Sequence, residues 1–497
     1  MPRLTIKHTD DPAELDHIHV ERDDVVLERL VAPGHFELAE GPFNHYQRLI
    51  EPDDNGHVTE HIRYELAIPW FGWAFALLTR RALRRRPDEA GRQPWWAPPQ
   101  RLDARASTML GILAAAAVLT GYLGTLLGQT LTFVADEFEL SRTDQGIVSA
   151  WGRLGTLLAI GVVALADRQG RRKIAVLATA AGAIGAVATA AAPNAFGFVA
   201  AQVVMRTFSA ALGTVILVYA VEEMPAGARA YALSLMGMAS ALGAGMVLWV
   251  LPIADLATEA WRIAFVPPVL ALPLAWSFHR NLPESKWYRS GSCEAKLSDR
   301  IGPLLVLAAI TFSIALYLAP ADQFRNEFLR DERGFSAGQI TLFVLTTATP
   351  GGLGLLIAGR MADTVGRKVV LAVATALGLG ALTLVFNTTG VAMWLLALAA
   401  AIFSSGLLPS LGVYRGELFP SNVRNRAVGW ISASGVAGAV CGLALTGWLS
   451  DRWGSIGSVI AVLWLAPLAG LVLALVALPE TIGRSLEELN PEDYSPS

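Results

Sequence analysis

Two short stretches of this chain carry the charged residues best placed for chemistry, and that chemistry is ion pairing at helix junctions. One is ADRQGRRK, from Ala166 to Lys173; the other is GRMADTVGRK, from Gly359 to Lys368. Asp167 stands 196 residues before Asp363. Each copy offers a carboxylate, a glycine and paired cations: Asp167, Gly170, Arg171 and Arg172 in the first, and Gly359, Asp363, Gly366, Arg367 and Lys368 in the second. Other landmarks repeat at nearly the same offset. Tyr219, Glu222, Pro225 and Arg229 answer to Tyr414, Glu417, Pro420 and Arg424, and Pro283-Glu284 answers to Pro479-Glu480. Partial desolvation strengthens a charge pair, and a helix N-terminus favours an anion. These residues can therefore hold helix ends together, and the chain reads as two related halves in tandem.

A second set lies inside long apolar runs, where each ionisable group is costly and usually faces a cavity. Arg153 and Arg206 fall near the middle of two such runs, and Asp322, Gln323, Arg325 and Asn326 follow Pro320 in a third. Gln129, Gln202, Thr346 and Thr347 add polar groups at plausible depths. A guanidinium is a rigid fork suited to carboxylate or phosphate, so Arg153 and Arg206 suit an anionic solute. The competing reading pairs them internally, with Asp322 or backbone carbonyls. A carboxyl in a low-dielectric cavity beside an arginine can exchange protons near neutrality, which makes Asp322 the candidate proton site.

The elements that position these groups follow from composition and hydropathy. The chain is 53% hydrophobic and 16% charged, against roughly a quarter charged in soluble domains, and its mean hydropathy is +0.45. It reads as an integral membrane protein. A net charge of −3 gives no basic surplus for nucleic acid. Cys293 and Cys441 have no paired spacing, so neither a disulfide framework nor a metal site is expected, and no cofactor is implied. Twelve apolar runs are expected, near 108–134, 143–166, 174–192, 196–221, 229–252, 262–280, 302–329, 337–359, 369–386, 391–416, 427–449 and 456–478. Arginine and lysine gather at Arg168 to Lys173, Lys286 to Arg300, Arg367-Lys368 and Arg424 to Arg426, which makes that side, with both termini, cytoplasmic.

Residues 1–100 read as a small α+β cytoplasmic module without a signal peptide. His57 to Leu66 alternates as a strand, with a turn at Asp54-Asn55-Gly56 and further strands at Tyr46 to Ile50, Val25 to Val31 and His35 to Ala39. The apolar run Ala67 to Leu78 is too short to span a bilayer. It reads either as a helix packed on the sheet or as an interfacial helix with Trp70, Phe71 and Trp73 among headgroups and Arg80 to Arg86 on anionic lipid. Sheet and helix together resemble the later part of the START-like fold.

Twelve spans in two repeats of six suit a secondary transporter with a midplane site, and residues 105–490 resemble the major facilitator superfamily, most of all its sugar-porter and organic-ion branches. The resemblance rests on G-x-x-x-D-x-x-G-R-K from Gly359 to Lys368, on its weaker first copy, on E-x-x-P-x-x-x-R at Glu222 to Arg229 and Glu417 to Arg424, and on LPESKW and PETIGRSLEE around Glu284 and Glu480. It implies an all-α membrane fold of two six-helix bundles, 105–282 and 302–479, joined by a loop at 283–301 and followed by a tail at 480–497. It further implies that Glu222 with Arg171, Glu417 with Arg367, and their neighbours form a cytoplasmic gate. The chain departs from the pattern at Val163, where a glycine is usual and one close helix contact is loosened, and at Gln202, where an arginine is usual. The expectation is a plasma-membrane secondary transporter, a monomer moving a small organic solute, an organic anion ahead of a sugar, by proton symport. Alternatives are a proton-coupled efflux pump and a non-cycling sensor; no enzyme motif is present.

Overall fold

The computed structural model describes residues 3–7, 18–52, 58–86, 91–140, 142–285 and 296–491, apart from a few helical side chains, that of Arg153 among them. It divides into two compact units, Met1–Ala115 and Ala116–Ser497.

The first unit is built on a five-stranded antiparallel sheet of order β1-β5-β4-β3-β2, with β1 Arg3–Lys7, β2 Leu27–Ala32, β3 His35–Glu40, β4 Phe43–Pro52 and β5 Val58–Leu66. Alternation along β5 turns Ile62 and Tyr64 inward, where they meet Phe43, Tyr46, Val26 and Leu83. The expected turn at Asp54-Asn55-Gly56 lies outside the described residues; the pairing beside it closes at Pro52↔Val58. β1 was not anticipated, since only Leu4 and Ile6 mark it; it pairs along β5 from Arg3↔Arg63 to Lys7↔Thr59. Beside the apolar core lies a buried ionic one. Glu28 accepts from Arg48 Nε and Nη2 at 2.8 and 2.6 Å and from Tyr46 Oη at 2.6 Å, and Arg48 stacks on Phe36. Burial and the Glu28 charge hold the Tyr46 phenol well above its ordinary pKa.

Helix α1 runs over Gly72–Arg84, later than the apolar run Ala67 to Leu78. Pro69 and Trp70, the latter at φ +66°, turn the chain first, and the arginines beyond Leu78 are good helix formers that carry it on. Thr79 and Leu83 bury one stripe of α1 against the sheet.

α2, Ala104–Glu137, runs from the first unit into the second, which continues as α3 Arg142–Gln169, α4 Arg171–Ala190, α5 Ala195–Glu223, α6 Arg229–Val250 and α7 Leu272–Asn281. Its later half holds α8 Ile301–Gln323, α9 Ala337–Ala348, α10 Gly351–Thr364 and α11 Arg367–Val385, the last with a π-helical middle. α12 Gly390–Ser404, α13 Leu407–Glu417, α14 Arg424–Trp453, α15 Ile456–Leu463 and α16 Leu465–Ala477 complete it. α9 with α10, α12 with α13 and α15 with α16 are single spans broken near their middles. Among the described residues eleven helical segments are long and apolar enough to cross a membrane; α3 occupies the place of the second expected span. Pro320 does not break α8, which ends three residues later at Gln323.

Candidate functional site

At one end of the helices the repeated charged residues meet across the two halves. Glu222, at the end of α5, accepts from Arg171 of its own half at 2.9 Å and from Arg424 of the other half at 2.5 Å, and also from Ser285 Oγ. Glu417, at the end of α13, accepts from Arg367 of its own half at 2.7 Å and from Arg229 of the other at 2.6 Å. Both carboxylates are buried. The two aspartates cross over as well. Asp167 accepts from the backbone N–H groups of Asn425 and Arg426, at 3.2 and 3.1 Å, and from Asn425 Nδ2 at 2.8 Å. Asp363 accepts from the N–H groups of Ala230 and Tyr231 at 3.1 and 2.8 Å. Each thereby caps the first turn of the other half's helix, α14 or α6, where unpaired N–H groups attract an anion.

The glycines and the P-E motifs explain each other. Gly170 and Gly366 precede α4 and α11 at φ +100° and +134°, a region that favours glycine. A Cβ at Gly170 would lie 2.5 Å from Glu284 Oε2. That carboxylate accepts from the N–H of Arg171 at 2.8 Å, and Glu480 accepts from those of Arg367 and Lys368 at 3.2 and 3.1 Å. Arg172 reaches the His279 carbonyl and Lys368 the Leu475 carbonyl. All the residues expected at the gate thus gather at this end.

Next to this lattice lies a cavity of about 250 Å³ between the halves. α3 contributes Thr156, Ala159, Ile160 and Val163; α5 contributes Ala210, Gly213, Thr214 and Leu217; α14 contributes Val428, Gly429 and Ser432. The cavity opens where the two seams of the molecule differ. In the α10/α6 seam Gly359 is obligatory, because a Cβ there would stand 2.1 Å from Ser234 Oγ. In the α3/α14 seam the pair is reversed: Val163 is buried and the glycine is Gly429, where an added Cβ would lie 3.7 Å from Val163 Cγ1. The glycine missing from the first motif copy therefore sits on the facing helix, and that seam has room.

Arg206 lies one turn before Ala210 on the lining stripe of α5 and is partly buried. It packs beside α3 at Gly155, where a Cβ would be 2.8 Å from Arg206 Cβ. Arg153 stands one turn before Thr156 on α3; its side chain lies outside the described residues. Gln202, one turn before Arg206 on α5, is 1% exposed, and neither amide atom has a hydrogen-bond partner among the described residues. Gln129 is partly buried on α2. Asp322 departs from expectation. Its side chain is 67% exposed and pairs at 3.4 Å with Arg325 of its own segment, not with Arg206; Gln323 and Asn326 are exposed beside it. It stands near the end of α8, inside the longer apolar helical run Leu297–Glu332.

Sequence reasoning passed over several participants. Asn425, Arg426, Ser285 and Thr481 join the lattice as well; Ser285 and Thr481 stand 196 residues apart, each just after its P-E motif, with Thr481 accepting from Arg367. Arg415, only two residues before Glu417, reads as another cation at a helix end. It donates to Thr311 Oγ1 of α8 at 3.1 Å, and among the described residues no carboxylate pairs with it. Thr311 packs on Gly435 of α14, one turn beyond the cavity's Ser432. No group of three His, Cys, Asp or Glu side chains able to hold a metal occurs among the described residues. Cys441 is exposed and has no disulfide among the described residues, and Cys293 lies outside them.

Comparison with known proteins agrees with this architecture. Residues 301–492 match the family model of the Major Facilitator Superfamily. A probable 4-methylmuconolactone transporter of Cupriavidus pinatubonensis is 26% identical over 262 residues, 48% of this chain and 58% of that one. The chain thus spans less than two thirds of that relative's length. A cis,cis-muconate transport protein of Acinetobacter baylyi is 24% identical over 67% of this chain and 84% of its own. Among solved structures, a proton:xylose symporter superposes with a TM-score of 0.68 at 17% identity, covering 78% of this chain and 99% of that one. The repeated junction motifs and the cross-half lattice agree with the family model matched over residues 301–492, and the chain has the fold of the solved major facilitator superfamily symporter.

Proposed function

We propose that this protein is a secondary active transporter that moves a small organic anion, a carboxylate ahead of a sugar, by alternating access. The observation that carries the reading is a cavity lined by helices of both halves, with Arg206 one turn along its α5 wall, lying next to an end where Glu222, Glu417, Asp167 and Asp363 tie the halves together. That end is the cytoplasmic gate in its closed state. At the other end Glu137 pairs with Arg262 inside the first half, a pair that separation of the halves there leaves intact. In this reading α3 completes twelve spans in two six-helix bundles, 105–282 and 302–479, in the plasma membrane with both termini cytoplasmic, and the monomer is the working unit. The transporters of muconate and a muconolactone support an acidic cargo. Arg206 and Arg153 are its guanidinium grips, Gln202 and Gln129 its neutral hydrogen-bonding partners, and Asp322 with Arg325, Gln323 and Asn326 forms a proton-exchanging group at the open end of α8.

A thermal-shift screen of the purified protein against carboxylates, sugars, phosphorylated metabolites and hydrophobic cations tests this. A carboxylate at a hundredfold its Kd stabilises by roughly 2.7 kcal/mol, and Arg206→Ala abolishes the shift. Sugars or cations stabilising both proteins equally would make the arginine structural and the substrate class wrong. Asp322→Asn is expected to end proton-driven accumulation while sparing exchange of substrate across the membrane; accumulation that persists removes Asp322 from coupling.

A further inference from the structure

We infer that α1 of the first unit is a lipid-docking helix, seated in the headgroup region of the leaflet that α2 enters and held there by anionic phospholipid. The inference rests on reading α2 as a membrane span.

The depth of α1 is set by contacts within its own unit. Thr108 Oγ1 of α2 donates to the carbonyl of Ala67 at 3.1 Å, and a Cβ at Gly111 would lie 2.9 Å from both Cδ and O of Pro69. The chain just before α1 therefore rests on the span at its second and third turns, about 6 to 10 Å along the helix from Ala104. A bilayer that accepts α2 brings its interface to the height of Pro69 and Trp70. Arg101, donating to Asp23 and to the Asp24 carbonyl, ties the other side of the sheet to the same helix entry.

The surface presented at that height has two parts. Trp73 is 77% and Leu77 65% exposed, while Thr79 and Leu83 occupy the sheet-facing stripe. Trp73, Leu77, Arg80 and Arg84 stand at i, i+4, i+7 and i+11 and so share one helix face, and Arg81 and Arg85 are exposed beside them. Trp70 extends the aromatic end from a left-handed backbone at φ +66°, a conformation disfavoured for a bulky residue. Trp and Leu partition into the interfacial layer, and arginine meets lipid phosphate bidentately. An apolar helix start followed by exposed arginines along the same face sets Trp73 and Leu77 at the acyl boundary and the arginines on lipid phosphate.

The test uses the full chain with Cys293→Ser and Cys441→Ser, carrying one nitroxide label at Leu77→Cys, at Leu30→Cys on exposed β2, or at Val472→Cys on exposed α16. Each is reconstituted in vesicles of phosphatidylcholine alone and with phosphatidylglycerol added. The ratio of oxygen to nickel-complex relaxation reports depth. The Leu77 label is expected to read several-fold more lipid-like than Leu30 with phosphatidylglycerol present, and to lose most of that difference in pure phosphatidylcholine or in an Arg80→Ala, Arg81→Ala, Arg84→Ala background. A Leu77 label as water-exposed as Leu30 in both vesicles, with Val472 in lipid, overturns the docking. Equal burial in both lipids overturns the anionic preference, and a water-exposed Val472 label overturns the membrane reading beneath it.

Discussion

Glu222 and Glu417 are each buried carboxylates shared between an arginine of their own half and one of the other. Removing one member of a buried charge cluster strands the rest, at a cost of about 3–5 kcal/mol. Glu417→Gln leaves Arg229 without its counter-charge and Arg367 with only Asp363, at 3.7 Å, so the closed end is expected to lose about that much and to open. Spin-label distances between the end of α3 and the start of α14 check it: a longer-distance population appears in the variant, and an unchanged distribution would show that the pair does not hold the gate. The repeat made the pairs within each half readable, because equivalent residues stand at one offset. It could not show that Arg424 reaches Glu222 and Arg229 reaches Glu417, since an offset says which residues correspond and not which half they touch. Arg415 was hidden by its nearness to Glu417, and the exposure of Asp322 was not legible because hydropathy puts a residue inside a run without saying which face of the helix it takes.

Between elements, the lock is a matter of helix ends. Asp363 caps α6 and Asp167 caps α14, each across the halves. An asparagine at 363 keeps an acceptor oxygen and loses the charge, forfeiting about 0.3–1 kcal/mol of helix-dipole interaction. Asp363→Asn is therefore expected to slow transport while leaving ligand binding nearly intact, which flux assays and binding measured side by side will show; equal loss of both would place Asp363 at the substrate. Helix positions in the second unit were largely legible from apolar runs bounded by charge. α1 was displaced because the turn at Pro69 and Trp70 leaves no hydropathy signal, and β1 was lost because two apolar residues in five do not mark a strand.

For the whole molecule, the two seams are alike in topology and unlike in packing. Gly359 faces Ser234 in one, and Val163 faces Gly429 in the other, beside the cavity. Gly359→Val alone is expected to abolish flux by preventing closure of the tight seam. Adding Ser234→Gly recreates the reversed pair and is expected to restore a large part of it, read as uptake by the single and double variants; no rescue would mean that the tight seam tolerates no exchange of bulk. The crossed lattice also bears on how the protein is made. Glu222 and Arg229 leave the ribosome roughly 200 residues ahead of their partners in the second half, and Asp167 further ahead still, about 10 to 50 s at 5–20 residues per second. During that interval the first half holds polar side chains whose destined neighbours do not yet exist, so a newly inserted first half depends on water, lipid headgroups or an insertion factor to shelter them until translation delivers the rest.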